Sequence, residues 1–363
     1  MNMSQLIAPS RGFTGLSALL NHPAPLVLYL RHRYWALTVL LLVAAVLPPA
    51  VGSEYWLSAI LVPFLILSLA GLGLNLLTGY TGQTSVGSAG FMAVGAFSTY
   101  ALLIRVPVLP LPVSIVLGGL IAAVIGLVFG VPSGRIKGFY LMVTSLAAQF
   151  FLEWVFSKFT WFYNNGSSGT IAAPSLDVAG VNLNTPVGKY ALVLAFVVAL
   201  TWVATNLVRS QTGRNWMAIR DMDTAAAVVG IPVFRYKLLA FAVSSFYLGI
   251  AGALWAFAYL GSASAQSFGI TRSFQILFII IIGGMGSIAG NFVGAAFISL
   301  LPLLLDTLGQ SVFAGHVDAG LLQNIQKVIF GVLIIWFLIK EPDGLVRIFQ
   351  SAKERFALWP LRL

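Results

Sequence analysis

The chain has 363 residues, 59% of them hydrophobic and only 8% charged, with a net charge of +10. A soluble domain carries about a quarter charged residues, so this composition excludes a soluble globular protein and points to a polytopic membrane protein. The absence of cysteine excludes disulfides and thiolate metal sites, and His22, His32 and His316 are too scattered to suggest a metal cluster.

This length permits about ten membrane spans of roughly 20 residues. Apolar runs predict them near 35–52, 57–77, 84–104, 111–131, 139–157, 190–208, 238–260, 274–284, 288–305 and 327–339. The first run follows Arg31-His32-Arg33. It resembles a signal peptide but reads as an uncleaved span, because its basic flank starts late and the whole chain is membranous. The predicted fold is therefore all-α. A cytoplasmic segment 1–34 precedes a transmembrane domain 35–339, and a cytoplasmic tail 340–363 follows. The short run at 274–284 leaves open a re-entrant hairpin around 283–291.

Starting in the cytoplasm and alternating sides puts fifteen of the twenty Lys and Arg residues on the cytoplasmic side. Only Arg105, Lys158, Lys189, Arg272 and Lys327 fall on the other. Lysine and arginine bias sets orientation, so both termini are expected in the cytoplasm. The same bias explains the basic net charge without a nucleic-acid partner.

Segment 74–95 reads LNLLTGYTGQTSVGSAGFMAVG. Glycine weakens a helix interior by about 1 kcal/mol relative to alanine, so the cluster suggests a break. Irregular backbone at membrane depth survives only where protein or a water-filled cavity satisfies it. Gln83, Ser85 and Ser88 are therefore candidate route-lining residues, with close helix packing through small residues as the plainer reading. The segment lacks the GxxxxGK[ST] pattern of a phosphate loop.

Ser145, Gln149 and Glu153 recur every four residues and share one helix face. Glu153 is the only acid well inside a predicted span. Intramembrane ionisable groups usually face an interior or a cavity. The stripe either lines a route or bonds a neighbouring helix, with Lys158 available to pair with Glu153 at the interface.

Loop 158–189 is rich in Gly, Asn, Ser and Pro, which favours exposed turns. It is a passive connector or a landing surface for an external delivery protein. Loop 209–237 holds five Lys and Arg residues and two acids. Within it, Asp223 or Thr224 is expected to cap a short helix through Ala225, Ala226, Ala227, Val228 and Val229. Gly230 suits the position past its end, and Pro232 blocks continuation after Ile231. Asp221 and Asp223 complement the positive end of the helix dipole. Its small apolar face fits a groove on a soluble partner, while Arg214, Arg220, Arg235 and Lys237 are expected to meet lipid headgroups or acidic partner residues; an ordinary positively charged cytoplasmic loop is the plainer reading. A weak echo links GSAGFMAVGAF at 87–97 with GSIAGNFVGAAF at 286–297. Their shared predicted direction fits a parallel repeat, with chance similarity between glycine-rich membrane segments as the alternative.

These segments carry a family resemblance. The matching residues run Gly73-Leu74-Asn75-Leu76-Leu77, Gly79-Tyr80, Gly82-Gln83, Ser85, Gly87, Phe91 and Gly95-Ala96. They continue through Gly213-Arg214, Ala218-Ile219-Arg220, Asp223, Ala225-Ala226, Gly230-Ile231, Lys237-Leu238 and Ala240-Phe241. Gly249, Ala251-Gly252-Ala253-Leu254, Gly283-Gly284, Gly286-Ser287, Glu341-Pro342 and Gly344-Leu345 close the set. The chain thus resembles LivM-type permease subunits of branched-chain amino-acid ABC importers over about 72–345. Ser88 departs from the pattern, since the family often carries His there.

The resemblance implies a bacterial inner-membrane permease paired with a second, related permease. Two cytoplasmic ATPase subunits, which bind ATP and Mg, and an extracytoplasmic substrate-binding protein would complete the importer. This chain itself would need no cofactor. Segment 223–231 would be the coupling helix, with Arg220, Asp221, Asp223, Thr224, Ala225, Ala226, Gly230 and Ile231 as the ATPase-coupling residues. A self-sufficient secondary transporter or channel is the alternative. It would need ion-coupling groups, and Glu153 is the sole candidate. A membrane enzyme would need a catalytic cluster that the sequence does not offer.

Overall fold

The computed structural model describes residues 54–313, with breaks at 107, 135–138, 167–168, 173–176, 179–180 and 183, and scattered positions between 325 and 345. The predicted span 35–52 lies outside the described residues, and 327–339 is described only at scattered positions. Among the described residues, seven helices are long and apolar enough to cross a membrane, and an eighth apolar helix, Ile288–Leu304, is shorter.

The bundle is built on α1 (Val62–Thr81), which a π turn at Trp56–Leu61 precedes. Its sequence is apolar all round, and nearly every residue is buried. A helix without a polar face belongs at a centre. Helix α2 (Ser88–Arg105) starts only after a non-helical stretch, so the predicted span at 84–104 loses its first turn to the glycine-rich break. Helices α3 (Leu111–Ser133) and α4 (Phe139–Lys158) follow.

Beyond α4 come a 3-10 turn at Thr160–Tyr163 and three short strands, β1 (Thr170–Ala172), β2 (Asp177–Val178) and β3 (Val181–Asn182). Strands β2 and β3 form a hairpin. Helix α5 (Pro186–Arg209) then returns; Thr185 caps it by accepting from the Gly188 N–H at 3.1 Å. Its buried residues Tyr190, Val193, Val197, Leu200 and Ala204 form one stripe at alternating three- and four-residue spacing. That stripe packs on α1, while Trp202 and Val203 are exposed.

Two short helices, α6 (Gln211–Asp221) and α7 (Asp223–Val228), lead into α8 (Val233–Leu254), which a π turn extends to Leu260. Strand β4 (Ser262–Ser264) pairs antiparallel with β1, so the long loop after α4 is stitched to the connection after α8. A 3-10 turn at Ala265–Phe268 precedes α9 (Ile270–Gly283) and α10 (Ile288–Phe313). The predicted short span at 274–284 thus begins four residues earlier. At 14 residues, α9 is about 21 Å long, less than a bilayer core of about 30 Å. The turn Gly284–Ser287 joins α9 and α10 as a plain helical hairpin.

Connectivity places α6 and α7 at one end of the bundle and the β1–β4 pair at the other. Exposed Trp56, Trp154, Phe159 and Trp161 gather toward the strand end. The Arg105 guanidinium lies 3.6 Å from the Trp161 ring centroid and donates to its carbonyl at 2.9 Å. Such an aromatic belt suits a membrane interface. Both α2 and α10 run away from the α6–α7 end, so the echoing segments share a direction.

Helix α8 packs against α1, α2 and α3. Glycines set how close α2 and α8 come. A Cβ on Gly95 would strike the Gly249 carbonyl, and one on Gly252 would strike the Met92 carbonyl. Small residues allow such backbone approach between membrane helices. Gly252→Val is therefore expected to cost about 3 kcal/mol or more through overpacking. It should show as a lower melting temperature in detergent, while Val128→Ala at an exposed position leaves that temperature unchanged.

Candidate functional site

The polar end of the bundle holds more structure than its sequence announces. Helix α6 buries Gly213, Trp216 and Ile219 and exposes much of its polar remainder, the pattern of an amphipathic helix lying on a surface. Trp216 is fully buried and donates from Nε1 to the Tyr236 carbonyl at 3.0 Å. Met222 is extended at φ −161°; it ends α6 and serves as N-cap of α7 without a side-chain hydrogen bond. The expected capping by Asp223 or Thr224 is thus corrected. Asp223 sits inside the first turn, where its Oδ2 lies 3.5 Å from Lys237 Nζ. It still puts negative charge at the positive end of the helix.

The expected C-terminal stop is present in full. Gly230 adopts φ +93°. Its N–H donates to the Ala227 carbonyl, and the Ile231 N–H donates to the Ala226 carbonyl, each at 3.0 Å. This is a Schellman motif, whose left-handed position favours glycine. Which face looks outward needs correcting. Ala226 is buried, 5% exposed, and keys α7 onto its own protein. Thr224 and Ala225 are exposed. The outward apolar surface is supplied by Val228, Val229 and Met222, exposed by 87%, 81% and 62%.

Arg220 does not reach freely into solvent either. Its Nη1 donates to the Gly79 carbonyl at 3.1 Å, while Nε and Nη2 hold Asp221 Oδ1 at 3.0 and 2.9 Å. Gly79 lies in the last turn of α1, where carbonyls lack helical partners and favour a cation. Left-handed Gly82, at φ +71°, ends that helix, and the Gln83 N–H turns back to the Leu77 carbonyl at 3.2 Å. The α9–α10 turn closes the group. Asn75 donates from Nδ2 to the Ser287 carbonyl at 2.9 Å and accepts the Gly286 N–H at 2.8 Å. Gln83, expected on a route, belongs to this cluster: its Nε2 donates to the Lys237 carbonyl at 3.1 Å and to Thr81 Oγ1 at 3.3 Å. Sequence reasoning missed Asn75 and Trp216 as organising residues. An amide inside an otherwise apolar helix and a tryptophan inside a polar one were the available signals.

A second cluster surrounds the start of α2. The first N–H groups of a helix have no partners within it. Here Ser145 Oγ accepts the Val86 N–H at 2.9 Å, Ser273 Oγ accepts the Ala89 N–H at 2.9 Å, and Gln149 Oε1 accepts the Gly90 N–H. Ser273 also donates to Gln149 Oε1 at 3.1 Å, and Gln149 Nε2 donates to the Phe268 carbonyl at 2.8 Å. Ser145 and Gln149 are completely enclosed. Their stripe therefore bonds neighbouring backbone in this conformation. Ser85 Oγ accepts the Gly87 N–H at 3.4 Å. Buried Ser88 Oγ has no hydrogen-bond partner among the described residues. Glu153 is half-buried one turn farther along, against Gly269. Among the described residues it forms no ion pair with Lys158, which five residues of helix turn off its face.

A family model described as the branched-chain amino acid transport system / permease component matches residues 56–338. The high-affinity branched-chain amino acid transport system permease protein LivM of Escherichia coli (strain K12) is 28% identical over 305 residues. That alignment covers 78% of this chain and 68% of the relative. The probable LivM of Methanocaldococcus jannaschii is 24% identical over 331 residues, covering 80% of this chain and 93% of the relative. The ribose import permease protein RbsC of Bacillus subtilis is 29% identical over 177 residues, covering 46% and 53% of the two chains. No solved structure matches the chain.

Gln149→Leu removes the partners of the Gly90 N–H and the Phe268 carbonyl at a buried position. It is expected to destabilise the folded state by about 2 kcal/mol or more, read from unfolding in detergent. Glu153→Gln, at a half-buried position, should leave that transition in place.

Proposed function

Because the chain belongs to the family of branched-chain amino acid transport permease components, we propose that it moves branched-chain amino acids or related small polar solutes inward, driven by ATP hydrolysed on other subunits. It is a transport subunit of an ABC system rather than an enzyme. The working importer pairs it with a second permease in a bacterial inner membrane. Two cytoplasmic ATPase subunits hold ATP and Mg, and an extracytoplasmic protein delivers the cargo. Ten spans with both termini in the cytoplasm complete the proposed topology, supported by the distribution of Lys and Arg.

One observation carries the coupling role. Helix α7 ends in a Schellman turn and exposes Met222, Val228 and Val229 beside charged residues. An apolar knob on a capped, braced helix suits a groove on a soluble partner. In this reading Thr224, Ala225 and Gly230 touch the ATPase, while Ala226, Ile231 and Asp223 hold the knob in place. Asp221 meets the partner through its exposed carboxylate. The second cluster lies on the proposed route. Ser88, Ser145, Gln149 and Glu153 are near the break in α2, and Ser85 steadies the stretch before it. Opening the route would exchange some of their hydrogen bonds for water or cargo.

Val228→Glu tests the docking face. The ATPase subunits should no longer copurify with the permease pair, and uptake into proteoliposomes should fall by at least about tenfold. The variant should still insert and fold, because Val228 is exposed. Undiminished copurification and uptake would sink the assignment of this face.

A further inference from the structure

We propose that Arg220 is a transmission latch: it carries movement of α6 and α7 to two core elements at once, the C-terminal turn of α1 and the α9–α10 turn. The inference rests on the coupling role proposed for α7. It gives Arg220 an inward task in place of the expected contact with lipid or partner.

Five observations carry it. Arg220 Nη1 donates to the Gly79 carbonyl at 3.1 Å, directly joining the end of α6 to the end of α1. The same nitrogen lies 3.2 Å from where a Cβ on Gly286 would sit, so the guanidinium is packed against the α9–α10 turn as well. Gly79 and Gly286 are themselves in contact, since a Cβ on Gly79 would strike the Gly286 nitrogen. Asn75 then clamps that turn to α1 by accepting from Gly286 and donating to Ser287. The other edge of the guanidinium is held by Asp221, which is exposed on α6. A planar group with donors on two edges can tie two partners rigidly.

The mechanical consequence follows from how coupling works. A signal needs packed or hydrogen-bonded elements that move between discrete arrangements. Helix α7 follows α6 directly, through Met222. Displacement of α7 therefore pulls on Arg220. Arg220 pulls on the Gly79 carbonyl, just ahead of the Gly82 break that precedes α2. Through the Asn75 clamp the α9–α10 turn follows. Arg220 is thus a positioning residue; it is assigned no contact with cargo or nucleotide.

The test uses the complete importer reconstituted in lipid, with other cysteines removed; this chain has none of its own. Arg220→Met keeps the stem that packs near Gly82 but removes every donor. Arg220→Lys restores one donor for the Gly79 carbonyl. Spin labels at Met285→Cys in the α9–α10 turn and Tyr140→Cys on α4 occupy exposed positions, 52% and 72% accessible. They report whether the turn moves when nucleotide binds. In the Met variant the ATPases should still copurify and basal hydrolysis should persist. Cargo moved per ATP should fall by at least about fivefold, and the nucleotide-dependent change in label distance should disappear. The Lys variant should recover both. Asn75→Ala combined with Arg220→Met should cost little more than either change alone, as expected for residues in one chain.

An Arg220→Met importer with unchanged cargo per ATP and an unchanged label shift would overturn the latch. Failure of the docking reading would look different: ATPase copurification that Val228→Glu leaves untouched.

Discussion

Backbone groups at the start of α2 have no bulk water to turn to, and the bundle is arranged around supplying them with partners. A helix that begins inside a membrane protein leaves N–H groups whose desolvation would cost several kcal/mol each. Three side chains from two other helices meet that need: Ser145 and Gln149 from α4, and Ser273 from α9. This requirement helps to fix α4 against α2 and brings the start of α9 to the same point. Gln149 extends the tie to the Phe268 carbonyl, which anchors the turn before α9. The short length of α9 is consistent with that geometry, since its first turn meets the first turn of α2 through Ser273.

The opposite kind of terminus organises the polar end. Helix α1 stops at Gly82 and leaves carbonyls that attract a cation. Arg220 answers from α6, and Gln83, Lys237 and Tyr236 draw the start of α8 into the same cluster. The two clusters sit on either side of one short irregular stretch, between Gly82 and Gly87. Any displacement of the stretch therefore strains hydrogen bonds at both of its ends.

Much of this was legible in the sequence. Apolar runs located the eight apolar helices α1–α5 and α8–α10, because a bilayer demands long uncharged segments. The glycine-rich break before α2 and the stop at Gly230 were readable because glycine does there what other residues do poorly. Helix α6 was missed because its apolar face comprises only Gly213, Trp216 and Ile219, too few to stand out in a charged loop. The roles of Ser145 and Gln149 were visible only as a face; what the face touches depends on α2 and α9, far away in the chain. Arg220 was expected to face lipid or the ATPase partner, not its own core. Its contact with Gly79 spans 141 positions, and local pattern carries no record of such a pairing. Ala226 was misjudged for the same reason, since a six-residue helix of small residues does not announce which side faces home.

The glycine contacts between α2 and α8 have a mechanical corollary. Where backbone lies against backbone, there is no layer of long side chains to shear, and interfaces packed that tightly resist continuous deformation. Helices α2 and α8 are therefore built to move as a single plank, with α3 packed along its edge. In the proposed transport cycle, alternation between outward and inward access would be borne at joints beyond this plank, and the irregular stretch ahead of α2 and the strand stitch beyond α8 are the two places where it ends.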